Sequence, residues 1–256
     1  MATGDQALTG FIRETIRQTG PVTFAWFMEQ ALYHPEHGYY SSGRCAIGRR
    51  GDYFTNVSVG PLFGRLLAAQ FAEMWERLGR PDDFVVVEQG AHHGDFARDV
   101  LESVRERALE FFAALSYRII EPFPVLQERQ GEALAHFREK ITWHESLDEL
   151  EPFCGVHFSN ELLDAMPVHL VRRDPEDRWQ ERYLDVSGDD FVFVSRPIGE
   201  KDLRRQLEKI PPHHISPYET EANFAALDWI GQVAQKLIRG YVLAVDYGYA
   251  REKYYS

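Results

Sequence analysis

Cysteine is nearly absent from this chain: Cys45 and Cys154 stand far apart among 256 residues. Two thiols so separated have no metal-ligand spacing, exclude a small disulfide-stapled fold and suit a reducing compartment. Long apolar runs are missing too, since no stretch approaches the ~20 residues that span a bilayer. The N-terminal segment contains Asp5 and Glu14. It has neither the apolar core of a signal peptide nor the acid-poor composition of a transit peptide. Positive charge is scarce: 28 Lys and Arg face 40 Asp and Glu, a formal net charge of -12. Such a surface repels phosphate backbones, excludes general nucleic-acid affinity and suits a basic partner. His34, His37, His92, His93 and His144 form no compact cluster with Cys or Asp, so no metal is expected. Together these absences describe a cytoplasmic, soluble protein without a membrane span.

What is present is an ordinary globular balance, 44% hydrophobic and 27% charged residues, enough for one substantial core or a core with an appended lobe. Residues 7–19 and 22–33 have helical spacing, with Leu8, Phe11, Ile12 and Ile16 on one stripe and a break at Gly20-Pro21. The Gly-, Tyr- and Arg-rich stretch over 34–60 reads as a functional loop, ordered by Tyr39, Tyr40, Tyr53 and Phe54. An amphipathic helix over 61–78 aligns Leu62, Leu66, Ala69 and Met74, and Gly79-Arg80-Pro81 stops it. Short apolar strands then alternate with helices. Strands are expected over 84–87, 117–120, 141–144 and 155–159, helices over 95–114 and 124–140, and a turn or helix from Leu162 onward. That alternation implies an α/β fold with a parallel sheet. Hairpin strands over 168–173 and 179–194 belong to an insertion at about 168–215 that covers the sheet; a helix over 218–238 and a strand over 241–245 follow. Residues 1–80 form an N-terminal helical and loop cap, and residues 81–256 the α/β domain.

The run Phe84-Val-Val-Val-Glu-Gln-Gly-Ala-His-His-Gly-Asp-Phe-Ala97 joins a buried strand to a helix through a glycine-bearing turn. In open α/β sheets ligands bind at the carboxyl ends of the strands. Gly90 and Gly94 allow positive φ or close approach of a ligand. The helix N-terminus behind them offers free N–H groups, which suit a phosphate and the carboxylate of S-adenosylmethionine (SAM) equally. Glu121, at the end of the next strand, can accept hydrogen bonds from both hydroxyls of a ribose. Turn and acid together point to a nucleoside cofactor and leave SAM and NAD both open. The spacing departs from the dinucleotide Gly-x-Gly-x-x-Gly pattern, which disfavours an NAD-linked oxidoreductase.

Four blocks resemble the MidA-like SAM-dependent methyltransferases, which are related to the mitochondrial complex I assembly factor that methylates an arginine. They are Tyr33-His-Pro-Glu-His-Gly-Tyr-Tyr40; Gly51-Asp-Tyr-Phe-Thr55 with Pro61-Leu-Phe-Gly64; Glu88 through Gly94 with Glu121; and Asn160-Glu-Leu-Leu-Asp-Ala-Met-Pro-Val168, extended by Val245-Asp-Tyr-Gly248. The resemblance covers nearly the whole chain in family order. It implies a Rossmann-like class I SAM-methyltransferase sheet, SAM as cofactor, and an arginine of a partner protein, such as a respiratory-complex subunit, as acceptor. Asp52, Thr55, Glu88, Gly90, Gly94, Glu121 and Asn160 are then the cofactor contacts. Glu161 and Asp164, three apart and on one face if the segment is helical, hold and localise the guanidinium charge. The 51–55 loop would close over the cofactor, or else serve as a structural loop whose Tyr53 and Phe54 plug the core. Two departures stand out. His92 occupies a position where the family has glycine, so its side chain would crowd the methionine part of SAM or shift the turn. The family also continues into further strands, whereas this sequence stops at Ser256. A methyltransferase-fold binding or assembly factor with a degenerate cofactor turn is the competing reading.

Overall fold

The computed structural model describes residues 5–42, 60–210 and 217–255. In chain order the elements begin α1 (Gln6–Thr19), β1 (Val22–Thr23), α2 (Phe24–Tyr33) and α3 (Leu62–Arg77). There follow β2 (Phe84–Gln89), α4 (Asp95–Arg107), α5 (Leu109–Ala114), β3 (Leu115–Ile120), α6 (Pro124–Ala133), β4 (Ile141–His144) and β5 (Phe153–Asn160). The chain continues through β6 (His169–Arg173), β7 (Trp179–Ser187), β8 (Asp190–Pro197), α7 (Lys201–Leu207), β9 (Tyr218–Ala222), α8 (Phe224–Lys236), β10 (Leu237–Val245) and α9 (Arg251–Tyr254). Two compact units result: the described residues of 43–164 and 229–246 form one, and those of 1–42, 165–228 and 247–256 the other. Among the described residues no helix is long and apolar enough to cross a membrane.

The first unit is a five-stranded sheet in the order β10-β5-β2-β3-β4, with every pairing parallel. Phe84, Val85, Val86 and Val87 are buried, as a central parallel strand requires. From β2 the chain steps outward through β3 and β4, then returns to lay β5 and β10 on the other side. Strand order therefore reverses between β2 and β5, the place where open α/β sheets hold their ligands. Two glycines permit these close pairings, Gly155 that of β5 with β2 and Gly240 that of β10 with β5. Gly155 and Gly240 are register neighbours, both with φ near +150, and a Cβ on Gly155 would lie 1.9 Å from the Val85 carbonyl oxygen.

α3 packs into this unit, and its buried face differs from the expected stripe. Gly64, Ala68, Phe71 and Trp75 are buried, whereas Leu62 and Leu66 are 67% and 61% exposed. The small residues decide this: a Cβ on Gly64 would meet Asp99 Cβ at 2.6 Å, so α4 crosses at that point. Phe71 and Trp75 fill the core beside Phe84, Phe96, Phe111 and Phe158. Other boundaries also shift. The expected helix over 95–114 breaks at Ala108, with φ -144 and ψ 65, and the one over 124–140 gives way after Ala133 to a 3-10 turn kinked at Phe137. The opening of the expected 218–238 helix is strand instead. Tyr218, Thr220 and Ala222 alternate inward and pair with β6, so period-2 burial overrides the helical pattern.

In the second unit β1, β7, β6 and β9 form an antiparallel sheet, with β8 paired on β7. The expected hairpins are present there as β6, β7 and β8. α1 buries Leu8, Ile12 and Ile16 with Leu184 of β7, while Asp5 Oδ1 caps its first turn by accepting from Leu8 N at 2.9 Å. Within the sheet His169 Nδ1 stands 2.7 Å from the buried Glu181 carboxylate. That contact raises the His169 pKa above its ordinary 6.5, more than burial lowers it.

Two outcomes follow. Gly155→Ala forces a Cβ into a backbone carbonyl, so urea unfolding is expected to show a loss of about 3 kcal/mol or more. Folded His169 keeps its proton at pH values where the unfolded chain has released it, so its contribution is complete below about pH 6.5 and disappears as pH rises through the higher folded value. Thermal melting across that range should lose this decline in Glu181→Gln.

Candidate functional site

At the carboxyl end of β2 the chain makes a turn in which alternate residues are left-handed: Gly90 at φ 83, His92 at φ 48 and Gly94 at φ 83. Gly94 closes the turn by donating its N–H to the Ala91 carbonyl at 2.8 Å and serves as the N-cap of α4 without a side-chain cap. The first-turn N–H groups of α4 have no partner within the helix, so the turn presents donors and a partial positive charge. His92 takes the conformation a glycine would take. Whether its side chain meets the methionine part of SAM is a question for the ligand-bound protein. Its ring lies against that of His93, centroids 3.7 Å apart.

Glu88, in β2, is fully buried and its Oε2 accepts from Tyr117 Oη at 2.6 Å. Burial pushes its carboxyl up to about 7 against the opposing pull of that hydrogen bond. Glu121 follows β3 and is 4% exposed. Its Oε1 accepts from Phe123 N at 3.1 Å and its Oε2 from Gln130 Nε2 at 3.0 Å. Each oxygen keeps a second acceptor position. Burial raises this carboxyl as well, to about 7. Gln130 Nε2 also donates to the His92 carbonyl at 2.9 Å, and Trp143 Nε1 donates to Gln130 Oε1 at 2.9 Å.

Across the strand-order reversal, β5 ends at Asn160, and the residues from Glu161 to Asp164 form a turn, not a helix. Glu161 is left-handed at φ 51, and its N–H donates to the Val245 carbonyl at 2.8 Å, continuing the β5–β10 ladder by one residue. Asp246 Oδ2 accepts from Leu163 N at 2.8 Å and fixes the loop. Glu161 and Asp164 therefore cannot share a helical face, yet they are still electrostatically coupled. Burial raises the Glu161 pKa first, and the Asp164 and Asp246 carboxylates raise it further. Asn160 Oδ1 and Glu161 Oε2 are buried without a hydrogen-bond partner among the described residues. Buried acceptors are normally satisfied, so this pair fits a ligand that brings its own donors. Nearby on β5, His157 is fully buried with its ring edge-on to Trp229, and burial lowers its pKa to about 4.

The structure thus brings Glu88, Gly90, Gly94, Glu121, Asn160, Glu161 and Asp164 into one unit, at or beside the carboxyl ends of β2, β3 and β5. Asp52 and Thr55 lie outside the described residues. Sequence reading missed Gln130 and Trp143, whose partners are set by tertiary packing. It quoted Asp246 without a role, although an acid directly after an apolar strand was the signal used for Glu121.

A left-handed turn on a helix N-terminus, with a buried acid closing the next strand at the switch point, suits a nucleoside-containing ligand on an α/β sheet. The comparisons define the family. Residues 66–256 match the family model described as "Putative S-adenosyl-L-methionine-dependent methyltransferase", and the chain belongs to that family. A superfamily member from Burkholderia thailandensis, crystallised with S-adenosyl-homocysteine (SAH), is 31% identical with a TM-score of 0.86, covering 98% of this chain and 64% of its own. The Drosophila melanogaster protein named "Protein arginine methyltransferase NDUFAF7 homolog, mitochondrial" is 28% identical over 98% of this chain and 62% of its own length. Its human counterpart is 25% identical over 91% of this chain and 57% of its own. The chain therefore spans about three fifths of the length of these relatives. The cytoplasmic location expected from the sequence is overturned by these curated relatives, which are mitochondrial by name.

A left-handed non-glycine residue costs about 1–2 kcal/mol. His92→Gly is therefore expected to hold or raise stability by up to ~1 kcal/mol, because added chain entropy offsets part of the gain. His93 has no positive φ, so His93→Gly should cost about 0.5–1 kcal/mol. Denaturant midpoints of the two variants check the contrast.

Proposed function

We propose that this chain is a SAM-dependent methyltransferase that acts on an arginine of a partner protein. The observation that carries the reading is Glu121, a buried acid with one open acceptor position on each oxygen, hydrogen-bonded through Gln130 to the left-handed turn. In this reading Glu121 accepts both ribose hydroxyls, and the turn from Gly90 to Gly94 with the N-terminus of α4 receives the methionine carboxylate. Glu88 and Asn160 supply further cofactor contacts. Asp52 and Thr55 do so by resemblance to the family. When bound, the cofactor supplies a methyl group on a sulfonium, which needs an acceptor lone pair in line with it.

The chain's own residues provide the positioning and the charge. Glu161 and Asp164, beside Asp246, form an acidic end to the crevice that suits a guanidinium, an intrinsically positive group with planar donors. Glu161, whose proton affinity is raised by burial and by its acidic neighbours, is suited to take the proton that a methylated guanidinium nitrogen releases. The names of the curated relatives support a protein arginine as acceptor. The resemblance to a complex I assembly factor makes a respiratory-complex subunit the partner to try first. The left-handed backbone of His92 weighs against a degenerate turn.

Calorimetric titration with SAH should show binding by the wild type, and Glu121→Ala should weaken it by about a hundredfold, the order expected for two lost hydrogen bonds to a charged group. NAD binding tighter than SAH binding contradicts the reading. With SAH binding intact, Glu161→Gln is expected to lower methyl transfer to an arginine peptide roughly a hundredfold or more.

A further inference from the structure

Gln130 lies on α6, outside every motif that marks the site, and is completely buried. Its carboxamide makes three hydrogen bonds, and their directions are determined by its partners. The Trp143 indole can only donate, so Gln130 Oε1 faces it, and the NH2 group faces two acceptors, the His92 carbonyl and Glu121 Oε2. One nitrogen thus holds the backbone of the cofactor turn at 2.9 Å and the ribose acid at 3.0 Å. Gln127 Nε2, one turn earlier, donates to the Glu121 carbonyl at 2.7 Å and anchors the same residue by its backbone. An apolar side chain of equal volume would fill the space, but would leave the turn and the acid unconnected.

We propose that Gln130 is a positioning residue that couples the cofactor turn to Glu121 and aims the carboxylate at the ribose. This rests on Glu121 being the ribose acceptor. The titratable and charged groups on the surrounding elements are His92 and His93 of the turn, Glu128, Arg129 and Glu132 of α6, Tyr117 and Arg118 of β3, His144 of β4 and Glu88 of β2. Burial raises it, and the Phe123 N–H and the Gln130 amide oppose that rise. Below about pH 7 the free acid is largely protonated and presents fewer acceptors, so cofactor affinity should climb with pH and level off above that value. Removing the Gln130 donor moves that inflection upward.

The test is calorimetric titration with SAH from about pH 5.5 to about pH 8.5 on wild type and Gln130→Met. The wild type should give an inflection near pH 7. Gln130→Met should move it up by about half a unit or more and weaken binding roughly tenfold at neutral pH. Trp143→Phe frees the amide to turn its oxygen toward Glu121 and should shift the inflection the same way by less. It serves as the readout should Gln130→Met fail to fold. Glu88 titrates in the same window in all three proteins, so the difference between them isolates Gln130. A residue that only supports the fold would lower affinity equally at every pH. Wild-type binding with an unmoved inflection in the folded variants overturns the role of Gln130 alone, whereas no SAH binding by the wild type overturns the reading of Glu121 and this role with it.

Discussion

Parallel pairing of β2 with β5 is the constraint on which the other features depend. Because β3 and β4 leave β2 on one side and β5 and β10 on the other, the loops after β2 and β5 diverge and leave a crevice between them. That pairing is sterically demanding. It requires Gly155 where a Cβ would strike the Val85 carbonyl, and Gly240 repeats the requirement against Gly155 one strand further out. Once the strands pair in this way, the turn from Gly90 to Gly94 and the loop from Asn160 to Asp164 stand at adjacent strand ends. The remaining side chains at the site are oriented by that frame.

The crevice collects ionisable groups that an apolar sheet does not otherwise accommodate. Glu88 and Glu121 are both buried and raised to about 7, and each is kept by neutral donors in place of a cation. A neighbouring Arg would hold them ionised but would also occupy the acceptors. Neutral partners leave charge and lone pairs available to a ligand. At the other strand ends, Asn160 Oδ1 and Glu161 Oε2 remain buried acceptors unmatched among the described residues. Two of the four non-glycine residues with positive φ among the described residues, His92 and Glu161, stand here, one in each of the two loops.

Much of this was legible in the sequence for stated physical reasons. The apolar run of β2, the strand–helix alternation and the terminal acid at Glu121 are local patterns, and local patterns predict a parallel sheet and the end at which ligands bind. Three features were not legible. The buried face of α3 was misassigned because Leu62 and Leu66 outrank Gly64 and Ala68 in hydrophobicity, while the close crossing of α4 selects the small residues. The positive φ of His92 was hidden because residue type argues against it, whereas the Gln130 amide that meets its carbonyl comes from another segment. Gln130 was invisible because its three partners come from three other segments of the chain, and such a network has no period in the sequence.

The central claim is that the strand-order reversal carries an adenosyl cofactor with its ribose on Glu121. A crystal structure of this chain soaked with SAH tests it most directly. The account predicts both ribose hydroxyls within hydrogen-bond distance of the Glu121 carboxylate, and the methionine carboxylate over the turn from Gly90 to Gly94. SAH bound away from Glu121, with the acid still bonded only to Phe123 N and Gln130, would contradict it.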